Sequence, residues 1–136
     1  MNTQIEEFFR QYERANADFD VDRIASFYAD VFMFGGPQGV QAVKKEDFVK
    51  LLPRRKEFFR SVGLVSSKIE RVEPSEIHSK YALVKVIWKM RIERAGKDAV
   101  ESENSSTYVL CDNGVSFQIV FQIDHQDLAK KIQDIT

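Results

Sequence analysis

Apolar residues recur at helical spacing through the first part of the chain and at every second position through much of the rest. Ile5, Phe8, Phe9, Tyr12 and Ala15 share one face of a first helix, with Glu6, Glu7, Arg10, Glu13 and Arg14 mostly on the others. Asn16-Ala17-Asp18-Phe19-Asp20 breaks that pattern. Asp20 is placed to cap a second, short helix with the buried stripe Val21, Ile24, Ala25 and Tyr28, and Asp22 lies near the positive end of its dipole. Val31 to Phe34 is rich in β-forming residues and predicts a strand. Gly35-Gly36-Pro37-Gln38-Gly39 stops it, since glycine permits a sharp corner and proline cannot continue a ladder. Val40 to Val43 reads as the lead into a third helix, Lys44 to Val62. One face of that helix carries Phe48, Leu51, Leu52, Arg55, Phe59 and Val62. Pro53 predicts a kink, or two pieces meeting near Leu52-Pro53, and Gly63 predicts a left-handed helix end.

From Leu64 the period changes. Leu64 to Glu73 reads as a strand and Pro74-Ser75-Glu76 as a turn. Tyr81 to Glu93 is a long strand, with Ala82, Val84, Val86, Trp88, Met90 and Ile92 on one face and Leu83, Lys85, Ile87, Lys89 and Arg91 on the other. A polar loop, Arg94 to Asp98, leads to a second long strand, Ala99 to Cys111. Asn113-Gly114 signals a tight hairpin. Val115, Phe117, Ile119, Phe121 and Ile123 then alternate with Ser116, Gln118 and Gln122, and Asp127 is placed to cap a last helix through Leu128 and Ile132. Helices first and hairpin-linked strands later predict an α+β domain, helices on one face of a curved antiparallel sheet.

Composition narrows the picture. The 136 residues suit one domain, 1–136, able to bury a core without disulfides or metals. A formal charge of −1 gives no case for nucleic acid as a main partner. Cys111 is the one cysteine, so no internal disulfide is expected. No apolar run is long enough to span a bilayer, and the acidic start lacks a signal core, so a soluble cytoplasmic protein is the expectation. No spacing matches a metal or nucleotide motif, so no cofactor is expected.

Several stretches together resemble the NTF2-like superfamily, which includes SnoaL-like polyketide cyclases, ketosteroid isomerases and scytalone dehydratase. They are Tyr12, Asp18-Phe19-Asp20-Val21-Asp22, Ile24, Phe27-Tyr28-Ala29-Asp30, Gly36-Pro37-Gln38-Gly39 and Asn113-Gly114 with Phe117-Gln118-Ile119. The resemblance spans nearly the whole chain and implies a cone-shaped, cystatin-like fold. It speaks to fold more than to function, because this fold hosts enzymes, transport adaptors and binding domains alike. An enzyme of this kind would be an isomerase, a cyclase or a dehydratase-type lyase.

Laid over ketosteroid isomerase, Tyr12 matches the oxyanion tyrosine. The aspartate base falls at Gly36 and the second oxyanion acid at about Ser106, so that isomerisation is not expected here. The dehydratase would need pocket histidines, whereas His78 and His125 fall at loops. An epoxide-hydrolase-like site would need an inward Asp-Arg-Asp relay, and the alternation supplies none. Asp30 reads as a helix-end residue, and Glu103 as facing away from Ser106.

The resemblance implies a pocket lined by Phe8 or Phe9 together with Tyr12, Phe32, Phe34, Trp88, Met90, Asn104, Ser106 and Tyr108. Strand alternation independently sets Asn104, Ser106 and Tyr108 on one side. Such a lining suits a small hydrophobic molecule bearing one or two polar groups. Tyr12 and Tyr108 are candidate donors to a carbonyl or enolate, and Tyr12 alone is a candidate catalytic group. No proton acceptor is expected beside them. Lys44, Lys45, Lys50, Arg54, Arg55, Lys56 and Arg60 make the third helix basic, either as a solvated face or as a rim for an anionic ligand. Leu83 and Ile87, with Val109 or Cys111, put apolar groups on the outer sheet face, which predicts a homodimer through the sheet. A protein-interaction or purely structural dimer is the alternative to a small-molecule domain.

Overall fold

A computed structural model describes residues 2–134. The elements in order are α1 (Asn2–Ala17), α2 (Val21–Ser26), β1 (Tyr28–Gly36), β2 (Gly39–Lys44), α3 (Lys45–Ser61), β3 (Leu64–His78), β4 (Tyr81–Ile92), β5 (Val100–Asp112), β6 (Phe117–Asp124) and α4 (Leu128–Gln133). The strands form one curved sheet in the order β2-β1-β6-β5-β4-β3. Every neighbouring pair is antiparallel except β1 and β6, which run parallel. The N-terminal helices pack on one face of this sheet, an α+β cone.

The helix ends follow the capping logic. The Asp20 carboxylate accepts the Arg23 N–H at the start of α2, and Asp127 accepts the Lys130 N–H at the start of α4. Gly63 stands just beyond α3 with φ 103°. Ile5, Phe9, Ala15, Ile24, Val84, Val86, Leu110 and Ile119 are all buried, and they join the helices to the sheet in one core.

Five local expectations are corrected. Tyr28 opens β1 instead of closing α2. The Phe27 carbonyl accepts the Ile119 N–H at 2.8 Å, so pairing with β6 captures the chain one residue earlier. Val40 to Val43 is strand, because Gly36 and Gly39 close a hairpin that pairs Val43 with Phe32. α3 continues through Pro53, which costs one ladder bond while the turns on either side persist, and buried Leu52 holds the helix to the core. β3 continues through Pro74 to His78. It lies at the sheet edge, where a residue without an N–H is tolerated. Val115 is in the hairpin loop, 93% exposed, and β6 begins only at Phe117.

The sixth departure has functional weight. Leu110 pairs with Ile119, but the adjacent Val109 pairs with Phe121. Val120 is therefore an extra residue, a β-bulge, and the phase of β6 flips beyond it. Ile119 is buried on the inner face. Past the bulge, Gln122 takes that face, while Phe121 and Ile123 take the outer one with Val109 and Thr107.

Candidate functional site

The inner face of β4, β5 and β6 is built in cross-strand rows. Val84, Tyr108 and Gln122 stand side by side; so do Val86, Ser106 and Asp124, and Trp88 stands beside Asn104. α1 brings Tyr12 over these rows, its ring centroid 5.7 Å from that of Tyr108 and 6.1 Å from Trp88. α3 faces these rows from the other side, and the start of β3, paired with the end of β4, closes the flank. Between them lies an open cavity of about 920 Å³, within the size range of small-molecule sites.

Tyr12, Trp88, Met90, Asn104, Ser106 and Tyr108 come together on this cavity. Phe32 and Phe34 do not line it. Phe32 is buried against Tyr28 and Phe48, with centroids 4.6 and 5.2 Å away, and Phe34 packs on the same core beside Gln122 in register. Phe8 and Phe9 likewise belong to the core beneath α1; Phe9 lies 5.0 Å from the Tyr108 ring. His78 is exposed, and His125 bonds Ser105 and Thr107 through its two ring nitrogens on the outer side of β5. Glu103 is exposed, and Asp30 faces Lys45 at 3.6 Å.

The reading that no carboxylate faces inward is corrected. Asp124 lines the cavity, where its Oδ1 accepts from Ser106 Oγ at 2.8 Å and from Gln122 Nε2 at 3.1 Å. Among the described residues neither of these bonds involves Oδ2, and no other reaches it. Gly36, where the isomerase pattern would place its base, lies against the main chain of Asp124, its absent Cβ 3.7 Å from that carbonyl oxygen. Gln122, Asp124 and Tyr28 are the polar groups that the alternation argument missed. The signal for the first two was the uninterrupted trio Ile119-Val120-Phe121 in a strand that otherwise alternates.

Hydrogen-bond directions follow from the carboxylate. While Asp124 is ionised it only accepts, so Gln122 must turn Nε2 toward it. Gln122 Oε1 is then the acceptor for Tyr28 OH, at 2.5 Å. Tyr28 has given its only proton, so Tyr12, 2.7 Å away, donates to Tyr28. The chain thus runs from Tyr12 to Tyr28 to Gln122 to Asp124, with each donor already committed. The Tyr12 hydroxyl is taken up by Tyr28 and neighbouring Tyr108, so its proton is not free for a ligand carbonyl, unlike the oxyanion role implied by the resemblance.

Burial holds all three tyrosines in the neutral form. It raises the pKa of Tyr12 above the usual phenol value and those of Tyr28 and Tyr108 well above it. The neighbouring Tyr12 hydroxyl pushes both of the others the same way. The Arg55 charge pulls Tyr12 and Tyr28 down, and burial outweighs it. Asn104 adds an unfinished valence, since its Oδ1 is buried with no partner among the described residues. No group of His, Cys, Asp and Glu side chains among those residues is arranged to hold a metal ion, nor is any helix long and apolar enough to cross a membrane.

Helices seated on a curved six-stranded sheet around an open cavity define an NTF2-like domain. Residues 2–127 match the family described as NTF2-like protein (DUF6841), and the chain belongs to that family. Among solved structures it is similar to an NTF2-like protein with a cystatin-like fold from Novosphingobium aromaticivorans, at 8% identity and TM-score 0.73, over 98% of this chain and 89% of that one. A ketosteroid isomerase-like protein from Erwinia carotovora is 17% identical with TM-score 0.67, over 92% of this chain and 95% of the other. The beta subunit of benzoate 1,2-dioxygenase from Burkholderia mallei is 20% identical with TM-score 0.68, over 89% and 87%. At these identities the likeness is one of fold. No curated protein is significantly similar in sequence.

Proposed function

We propose that this domain binds a small, mostly hydrophobic molecule in its cone and presents Asp124 to it. The observation that carries the proposal is the cavity of about 920 Å³ with its polar end on β5 and β6. Trp88, Met90 and Leu52 offer apolar wall, while Asn104 Oδ1 and Asp124 Oδ2 are acceptors awaiting a ligand hydroxyl or N–H. A buried acceptor without a partner costs about 1–3 kcal/mol, so a ligand donor that reaches Asn104 recovers a real penalty. The same Asp124 oxygen gives the site a proton acceptor. Chemistry of the isomerase, cyclase or dehydratase type, which moves a proton beside an apolar ring or chain, is the catalytic form of this reading.

N-phenylnaphthylamine, a neutral apolar fluorophore, tests the binding reading. Its fluorescence should rise on mixing with the protein, Trp88 emission should fall, and the thermal midpoint should increase. Ser67→Trp narrows the mouth from β3 without touching the core and should weaken that binding. A flat titration with the native chain would sink the proposal.

A second subunit on the outer sheet face completes the reading. Leu83, Val109, Phe121 and Met33 stand in one cross-strand row over β4, β5, β6 and β1, each left partly open to solvent. Ile87, on the same side, is already covered among its own neighbours. A row of this kind suits a self-complementary homodimer contact. Sedimentation at micromolar concentration should give twice the chain mass, and Val109→Lys should return the monomer. A native monomer would refute this part alone.

A further inference from the structure

The charges around the cavity are strongly one-sided. The cavity lining takes Arg10 and Arg14 from α1, Arg55, Lys56 and Arg60 from α3, and Lys68 from β3. Its carboxylates are Glu13 and Asp124, two against six, and among the described residues neither pairs with one of these cations. Glu13 accepts the Ile69 backbone N–H, and Asp124 accepts from Ser106 and Gln122. Arg10 pairs with Glu7 at 2.7 Å. Among the described residues, Arg14, Arg55, Lys56, Arg60 and Lys68 have no carboxylate within ion-pair distance. The whole chain carries a formal charge of −1, so this positive surplus belongs to the cavity mouth and not to the protein at large.

The wall of α3 sharpens the point. Leu52, Arg55, Lys56 and Phe59 lie at i, i+3, i+4 and i+7, so they share the one face that looks into the cavity. Amphipathic logic would fill that face with apolar groups if it served only as core. Two of its four positions are cations instead. The Arg55 guanidinium lies over the Phe59 ring at 5.2 Å, and the Lys56 ammonium lies over the Phe19 ring at 4.2 Å. These contacts settle the aliphatic stems on aromatic wall and hold the charged ends at the mouth. Arg55 reaches far enough in for its charge to act on Tyr12 and Tyr28. On the sheet wall opposite, the sign reverses with Asp124, beside Ser106 in register.

Resting on the binding reading above, we infer that the ligand is an amphipathic anion. Its carboxylate, sulfonate or phosphate lies at the mouth against Arg55 and Lys56, with Arg60 and Lys68 adding to the field. Its apolar body fills the cone over Trp88 and Met90. The anionic head stays on the α3 side because Asp124 repels it from the sheet wall, which fixes the ligand's orientation across the cavity. A hydroxyl or N–H at the far end of the body completes the fit to Asp124 and Asn104.

The test uses two probes that differ by one group: anilinonaphthalene sulfonate, which is anionic, and N-phenylnaphthylamine, its neutral parent. The native chain should bind the sulfonate more tightly, and raising salt should erase that preference and leave the neutral probe unaffected. Arg55→Gln with Lys56→Gln should weaken the sulfonate by about fivefold or more, since a charge at a solvated mouth is worth up to about a fivefold change. The neutral probe should hold within about twofold, because no apolar wall is removed. Lys50→Gln with Arg54→Gln removes the same charge from exposed positions of α3 outside the cavity and should change neither probe. Equal, salt-independent binding of both probes would overturn the anion inference and leave the cavity reading standing. Binding of neither would remove both. Sulfonate binding that ignores the Arg55/Lys56 pair, or that the neutral probe fails to displace, would place it elsewhere and overturn the inference.

Discussion

Above about pH 10 the domain should lose stability steeply, and the tyrosinate absorbance of three of its four tyrosines should appear together with unfolding instead of before it. Tyr12, Tyr28 and Tyr108 have folded-state pKa values raised by burial, so the native state keeps protons that the unfolded chain releases near the ordinary phenol value. The sign follows from proton counting. Below the unfolded pKa both states are protonated and the contribution is fully present. Above it the unfolded state binds fewer protons, so the free energy of unfolding falls with pH until the folded pKa is passed. Each such tyrosine contributes about 1.4 kcal/mol per pH unit within that window. Three acting together exhaust the typical stability of a domain, about 5–15 kcal/mol, within a few pH units. Tyr28→Phe should reduce the alkaline slope by one tyrosine's share. It should also lower stability at neutral pH by about 1–3 kcal/mol, because Gln122 Oε1 loses its donor. Urea unfolding midpoints across the alkaline range, with absorbance followed in parallel, measure both effects. Of the four tyrosines only Tyr81 is exposed, so ionisation of more than one tyrosine in a chain that is still fully folded would contradict the buried network.

Gly63→Ala should cost about 3 kcal/mol or more, and Gly96→Ala only about 1–2 kcal/mol. Both glycines have positive φ, 103° and 76°, and both substitutions therefore place a side chain in a strained conformation. They differ in what surrounds them. A Cβ at Gly96 meets nothing within 4 Å, whereas one at Gly63 would stand 2.7 Å from the Glu93 carbonyl oxygen and 3.0 Å from Arg94 Cγ. That oxygen is backbone and cannot rotate away. Gly63 O also accepts the Glu93 N–H at 2.8 Å, so the contact ties the end of α3 to the end of β4. Leu64, Val65 and Ser66, which follow at once, line the cavity. Forcing Gly63 apart from Glu93 therefore loosens a cavity wall as well as the fold, and Gly63→Ala should bind the neutral probe more weakly even where it remains folded. Chemical unfolding of the two variants side by side isolates the steric part, and equal losses would rule it out.

Local chemistry made much of this architecture readable. Asp20 and Asp127 announce helix starts through side chains that satisfy free N–H groups, and both cap as expected. The alternation from Ala82 to Ile92 places one face inward because successive strand residues must point to opposite sides, and those residues are buried. Asn104, Ser106 and Tyr108 were grouped by the same rule. Phe32 and Phe34 joined the expected pocket through the resemblance, and nothing in their own spacing distinguishes core from cavity wall.

What the chain alone determined is whatever depends on neighbours a few residues apart: the helical stripes, the caps, the long hairpins, and the strand from Val31 to Phe34 with the glycine-proline corner after it. Tertiary structure decided what depends on a partner strand. β1 pairs with β6 in parallel across most of the sequence, and that pairing draws Tyr28 out of the helix and into the hydrogen-bond network. The bulge at Val120 is a mismatch between two strands: the apolar trio Ile119-Val120-Phe121 marks the place, and only pairing with β5 decides which residue is the extra one. It turns Gln122 and Asp124 into the cone. A strand without that extra residue would have pointed the cavity's carboxylate at solvent, and the polar end of the site would not exist.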